Sequence, residues 1–214
     1  LTAAGILFTS YINTGSTSNA YYSSIIALIG VLIGYFYTAK PIRLSSRYGL
    51  GEISIFLAFG PLLTLGTGYA ISMETIIPYS NEFYNLLLLG VPIGILTTNI
   101  LFINQFPDYT SDKKVGKNHL VVLLGKKASR WVYALNLALA VGSLYFISEN
   151  IINNTQAMLF MYLLIPVTMF YSYYLISGLF KYYKSRDLIK YNIHTIYFHM
   201  IFSFIYMIIL ANFQ

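Results

Sequence analysis

The sequence predicts an all-α integral membrane protein, a multi-helix transmembrane bundle with its polar chemistry gathered at one rim. Three observations carry this expectation. Of 214 residues, 57% are hydrophobic and 9% charged, whereas soluble domains carry about 25% charged residues. So little charge cannot clothe a water-facing surface. The apolar residues fall into six runs, each about as long as the roughly 20 residues a helix needs to cross hydrocarbon. All 13 Lys and Arg residues fall in alternate connections, the pattern left by helices that cross a bilayer back and forth.

The opening stretch, LTAAGILFTSYINTG, holds an apolar run of about 12 residues, too short to span. No basic segment precedes it, so it does not resemble a signal peptide. It reads as the tail of a helix that begins upstream. Full spans are predicted at about 21–38, 50–71, 84–106, 129–148, 156–180 and 194–213. Gly30 and Gly34 in the first span form a small-xxx-small pair, the pattern of a close helix contact. Trp131 and most of the 21 tyrosines suit interfacial belts and packing.

The second connection holds Lys40, Arg43 and Arg47. The fourth, extended into the next helix, holds Lys113, Lys114, Lys117, Lys126, Lys127 and Arg130, and the sixth holds Lys181, Lys184, Arg186 and Lys190. The other three hold none and carry Glu74, Glu82 and Glu149. Positive loops stay in the cytoplasm, which places the C-terminus outside. The net charge of +6 is thereby a matter of topology and calls for no nucleic-acid partner. With no cysteine, disulfides and thiolate metal sites are excluded.

Charge is densest in NQFPDYTSDKKVGK, Asn104 to Lys117. Asn104, Asp108 and Asp112 stand at i, i+4 and i+8, one stripe along two helical turns. Pro107 lies between them, where a kink is possible. Two carboxylates a turn apart repel unless a cation joins them. An all-oxygen pair suits Mg²⁺, which takes one or two carboxylates and bridges to substrate phosphate. Lysines nearby bind phosphate as point charges, and Lys40, Arg43 and Arg47 arrive on the same membrane face. The pattern points to a Mg²⁺–diphosphate site at the cytoplasmic end of the bundle. An ordinary basic loop is the alternative. Glu52 either favours the positive N-terminus of its own helix or lies near a second substrate. His119 reads as a replaceable polar residue, and His194 and His199, five apart, share no helix face.

The stretch NQFPDYTSDKKVGKNHLVVLLG resembles the second aspartate-rich motif of the UbiA-type intramembrane prenyltransferases, N-x-x-x-D-x-x-x-D-x-x-x-G-K-x-x-L-V-x-x-L-G. YTAKPIRLSSRYGLGE, residues 37–52, resembles the segment after that family's fourth helix. The likeness covers essentially the whole chain and is greatest to the 1,4-dihydroxy-2-naphthoate polyprenyltransferases of menaquinone synthesis. It implies a nine-helix bundle open sideways to lipid, moving a polyprenyl group from its diphosphate to an aromatic acceptor within the membrane. Asp108 and Asp112 would hold Mg²⁺, supported by Asn104. Lys117 and Arg43, with Lys113 and Lys40, would neutralise phosphate, and Tyr37 would line the reacting carbon. Other acceptors of the family are 4-hydroxybenzoate, haem, chlorophyllide and glyceryl phosphate lipids. A transporter, or a non-catalytic isoprenoid-binding relative, is the alternative from another class.

One feature of the family is missing. Its first aspartate-rich motif, N-D-x-x-D-x-x-x-D, matches nothing in this chain. One partial helix and six full ones therefore correspond to helices three to nine, in a single domain over residues 1–214 that lacks the first two helices. Such a piece is expected to be inactive alone and to regain Mg²⁺-dependent turnover when the missing residues are restored.

Overall fold

The computed structural model describes Ile12 and residues 16–212; apart from Ile12, the partial helix expected at the N-terminus lies outside the described residues. The described elements are α1 Thr17–Thr38, a 3₁₀ turn at Leu44–Ser46, α2 Leu50–Phe59, α3 Pro61–Ile71, α4 Asn81–Lys114, α5 Leu120–Asn150, α6 Thr155–Tyr182 and α7 Leu188–Asn212. Among the described residues six stretches are long and apolar enough to cross a membrane, with Leu50–Ile71 counted as one. They coincide with the six apolar runs. Polar side chains cap the starts: Ser16 accepts from the Asn19 N–H, Ser80 from Phe83, and Asn154 from Gln156 and Ala157, which satisfies first-turn donors that have no partner within the helix.

The second span differs from its expected form. The run at 50–71 is two helices, broken at Gly60 (φ −116°, ψ −106°), with Pro61 opening α3, where its missing N–H costs nothing. The break packs against α4. A Cβ on Gly60 would lie 2.8 Å from both the Gly90 carbonyl oxygen and Gly94 Cα, and one on Gly90 would lie 2.5 Å from Gly60 C. Thr64 Oγ1 then donates across to Leu86 O at 2.7 Å. In lipid, such close backbone approach replaces the missing hydrophobic drive between helices.

Among the described residues, nothing lies within 4 Å of a Cβ built on Gly30 or Gly34. The helix α1 meets α3 through other residues. Ile26 Cγ2 sits 3.0 Å from a Cβ built on Gly66. Buried Asn19 donates to Glu74 O and accepts from the Ile76 N–H. Small residues permit a contact, but which face meets a neighbour is decided by the neighbour.

The long helix α4 is central, touching α2, α3, α5 and α7. The core lies between α4, α5, α6 and α7, with Phe102, Phe106, Tyr133, Leu137, Leu144 and Met161 fully buried. Polar links lock these helices. Asn136 donates to Asn99 Oδ1 at 2.9 Å, and the Tyr133 and Thr195 hydroxyls pair at 2.8 Å. His199 pairs with Thr97 on α4, while His194 pairs with Tyr171 on α6. The two histidines thus serve different neighbours. The helix α4 continues through Pro107 to Lys114, so the stripe of Asn104, Asp108 and Asp112 lies on one helix.

Candidate functional site

The site is assembled from two connections clamped together. After α1 the chain passes Arg43 and the 3₁₀ turn to Gly49, whose positive φ of 84° starts α2. The second connection, 115–119, joins α4 to α5. The Tyr48 N–H donates to Asn118 O at 2.7 Å, and the Asn118 N–H to Ser46 O at 3.0 Å. Arg47 Nη2 closes its own loop on Pro41 O at 2.7 Å. Gly51 lets α2 press on the turn, because a Cβ there would meet Ser45 Cα at 2.9 Å. The glycines of the Gly-Leu-Gly-Glu run thus have distinct tasks, one a turn and one a close approach.

Glu52 follows them and is 4% exposed. Its Oε1 accepts from Gln105 Nε2 at 3.0 Å and from the Leu120 backbone N–H at 3.1 Å. It stands in the first turn of its own helix, as expected of an acid there, and its hydrogen bond also serves the N-terminus of α5.

A cleft of about 290 Å³ opens between these parts, lined by Tyr37, Asn104, Gln105, Asp108, Asp112, Lys117, His119 and others. Asp108 is exposed, and among the described residues no basic group pairs with it. Asp112, one turn on, is held twice. Lys117 Nζ lies 2.7 Å from Oδ1 and His119 Nε2 lies 3.1 Å from Oδ2. His119 also accepts from the Val122 N–H at Nδ1, so its proton stands on Nε2 and is donated to Asp112. Asn104 Oδ1 accepts from Asn192 Nδ2 at 3.0 Å, which ties the stripe to α7.

Of the residues expected here, the cleft brings together Asn104, Asp108, Asp112, Lys117 and Tyr37. Arg43 lines a neighbouring hollow with Arg47 and Gly116. Lys113, about 100° around the helix from Asp112, lies 5.8 Å from the Tyr109 ring centre. Lys40 is exposed and lines neither space. Gln105 and His119 were not anticipated. Gln105 had a signal, as an amide set beside Asn104 in an apolar run. His119 had only its place two residues after Lys117.

A polar cleft with paired acids and a lysine, at the rim of a helical bundle built to cross a membrane, defines a membrane protein suited to binding a charged ligand beside lipid. The chain belongs to the UbiA prenyltransferase family, whose model matches residues 1–208. It is 38% identical over 127 residues to a 2-carboxy-1,4-naphthoquinone phytyltransferase of Synechocystis sp., covering 58% of this chain and 38% of that one. It is 40% identical over 96 residues to a 1,4-dihydroxy-2-naphthoate octaprenyltransferase of Escherichia coli, covering 45% and 28%. A Bacillus subtilis protein of the latter name is 29% identical over 123 residues, covering 58% and 37%. The matched stretches thus span less than two fifths of these relatives' lengths. No solved structure matches the chain.

Proposed function

We propose that this protein takes part in Mg²⁺-dependent transfer of a polyprenyl group from its diphosphate to an aromatic acceptor of the 1,4-dihydroxy-2-naphthoate type. The acceptor class rests on the names of the relatives. The observation that carries the reading is the convergence of Asn104, Asp108, Asp112, Lys117 and Tyr37 on one cleft. In this reading the protein is integral to the cell membrane, with the cleft facing the cytoplasm and the C-terminus outside, as the alternation of basic loops supports.

The donor chemistry fits a hard cation. Asp108 and Asp112 offer oxygens a turn apart, and each oxygen of Asp112 keeps a lone pair beyond its present partner. Among the described residues no group of three or more His, Cys, Asp or Glu gathers into a cage. Mg²⁺ takes one or two carboxylates and leaves its remaining positions to water and substrate phosphate. When bound, the ion would stabilise charge on the departing diphosphate. Lys117 would neutralise a phosphate oxygen while its ammonium keeps Asp112 in place. His119 would fix the Asp112 rotamer, and Asn192 that of Asn104. The face of Tyr37 would border the developing allylic cation. Arg43 and Lys113 would act from outside the cleft, through the general field on phosphate.

The test is complementation in a bacterial strain deleted for its own naphthoate prenyltransferase, with this protein expressed from its natural gene. Prenylated naphthoquinones should return, and Asp108→Ala or Asp112→Ala should lower them at least about a hundredfold, the loss expected when a transition-state charge partner is removed. Near-normal quinone in either variant, at equal protein level, would refute the assignment.

A further inference from the structure

Two cations stand close together where α5 enters its apolar run and α6 ends. Arg130 Cζ lies 4.2 Å from the Tyr183 ring centre, and Lys184 Nζ lies 5.4 Å from it. That puts the two charges within about a Debye length, roughly 10 Å, of each other, where like charges repel unless something negative joins them. Among the described residues no acid is within ion-pair distance of either. The one acid of the α6–α7 connection, Asp187, accepts from the Ser185 hydroxyl at 2.8 Å. The negative end of α6 takes up part of the charge, since Arg130 Nη1 donates to Phe180 O at 3.2 Å. Arg130 Nε donates to Lys127 O at 3.2 Å. Two of the five N–H groups of a guanidinium are thereby used, and the rest are left for a ligand. Lys184 is exposed against the Tyr183 ring.

The surroundings say what kind of anion fits. Arg130 is held by rings, its Cζ also lying 4.5 Å from the Phe180 ring centre. Trp131 meets that same ring edge-on at 4.9 Å. A guanidinium fixed against aromatic faces is a preorganised fork for phosphate. Trp131 itself is 65% exposed, and an indole at the end of a span sits at headgroup depth. Leu135 stands one turn from Trp131 on α5, and Tyr173 two turns from Phe180 on α6. Both are exposed, and each shares a helix face with the ring it follows. An exposed apolar strip thus runs from the two cations towards the middle of the spans. A free phosphate has no use for such a strip, whereas the acyl chain of a phospholipid does.

We propose that Arg130, Lys184 and Trp131 form a site for one anionic phospholipid. Its phosphate is held between the guanidinium and the ammonium, and an acyl chain passes Trp131 along Leu135 and Tyr173. The bound lipid ties the start of α5 to the end of α6 at the basic rim. The site shares no residue with the cleft of Asp108 and Asp112 and does not depend on the proposed reaction.

Trp131 is the chain's one tryptophan, so its fluorescence reports on this site alone. The experiment places the protein in vesicles of equal parts phosphatidylglycerol and phosphatidylcholine, with the acyl chains of one or the other brominated to quench a nearby indole. The ratio of the two quenching constants gives the lipid preference. Wild-type protein should prefer phosphatidylglycerol by at least about fivefold, the worth of one basic residue beside an anionic lipid. Arg130→Gln should bring the preference below about twofold. Lys184→Gln, an exposed position, should at least halve it, an arm that stands if Arg130→Gln fails to fold. Lys190→Gln removes equal charge from the same rim, on α7, and should leave the preference unchanged. Inorganic phosphate added at constant ionic strength should leave it unchanged too. Equal quenching by the two lipids in wild type, or a preference surviving in Arg130→Gln or Lys184→Gln, would overturn the assignment. So would an equal loss in Lys190→Gln, which would mean the general charge of the rim, or a loss to inorganic phosphate, which would mean a site for the free ion.

Discussion

Replacing His119 by alanine removes two contacts of a side chain that is 3% exposed. The first is the α5 cap, in which Nδ1 accepts from Val122 N–H at 3.4 Å. That length puts the loss at the low end of capping values, about 0.5–1 kcal/mol. The second is the donor to Asp112 Oδ2 at 3.1 Å. A hydrogen bond to a charged group is worth about 1.5–3 kcal/mol, and the low end applies because Lys117 remains on Oδ1. The void left by a buried ring adds about 1 kcal/mol. The sum is about 3 kcal/mol, or roughly 6–12 °C in a chain of this size. His119→Asn should recover the capping share, since asparagine caps well, yet it is too short to replace the bond to Asp112. Thermal unfolding in detergent, followed by circular dichroism, reads both variants. A His119→Ala melting point within about 1 °C of wild type, or an Asn variant no better than Ala, would refute the double role.

Other outcomes follow from the same geometry. Lys117→Met should lower prenyl transfer at least about tenfold, and Arg43→Met less, because only Lys117 lines the cleft; steady-state turnover of the two decides it, and a reversed order would contradict the site. Gly90→Ala forces a methyl within 2.5 Å of Gly60 C and should cost about 1–3 kcal/mol, whereas Gly34→Ala, with no described neighbour within 4 Å, should be neutral to about 1 kcal/mol stabilising by the same melt. Because the chain has no cysteine, single replacements report orientation cleanly. In intact cells an impermeant maleimide should label Asn153→Cys and spare Lys184→Cys, and the opposite pattern would invert the proposed topology.

The sequence by itself determined the six spans, because crossing hydrocarbon needs only a local run of apolar residues long enough to satisfy its own backbone. It determined the stripe of Asn104, Asp108 and Asp112, because helical period is a property of one segment. The motifs around that stripe also announced the family that the comparison with known proteins then showed. Tertiary structure alone decided which cation enters the cleft, since Lys117, Lys113 and Arg43 are equally basic in sequence. It alone turned Glu52 onto Gln105 and the start of α5, partners 53 and 68 residues away. It also set a close helix contact at Gly60, Gly90 and Gly94. The physical reason is common to all three. Hydropathy and period act along a few turns of chain, while a side chain's partner, and whether it has one, depends on which distant element the fold sets against it.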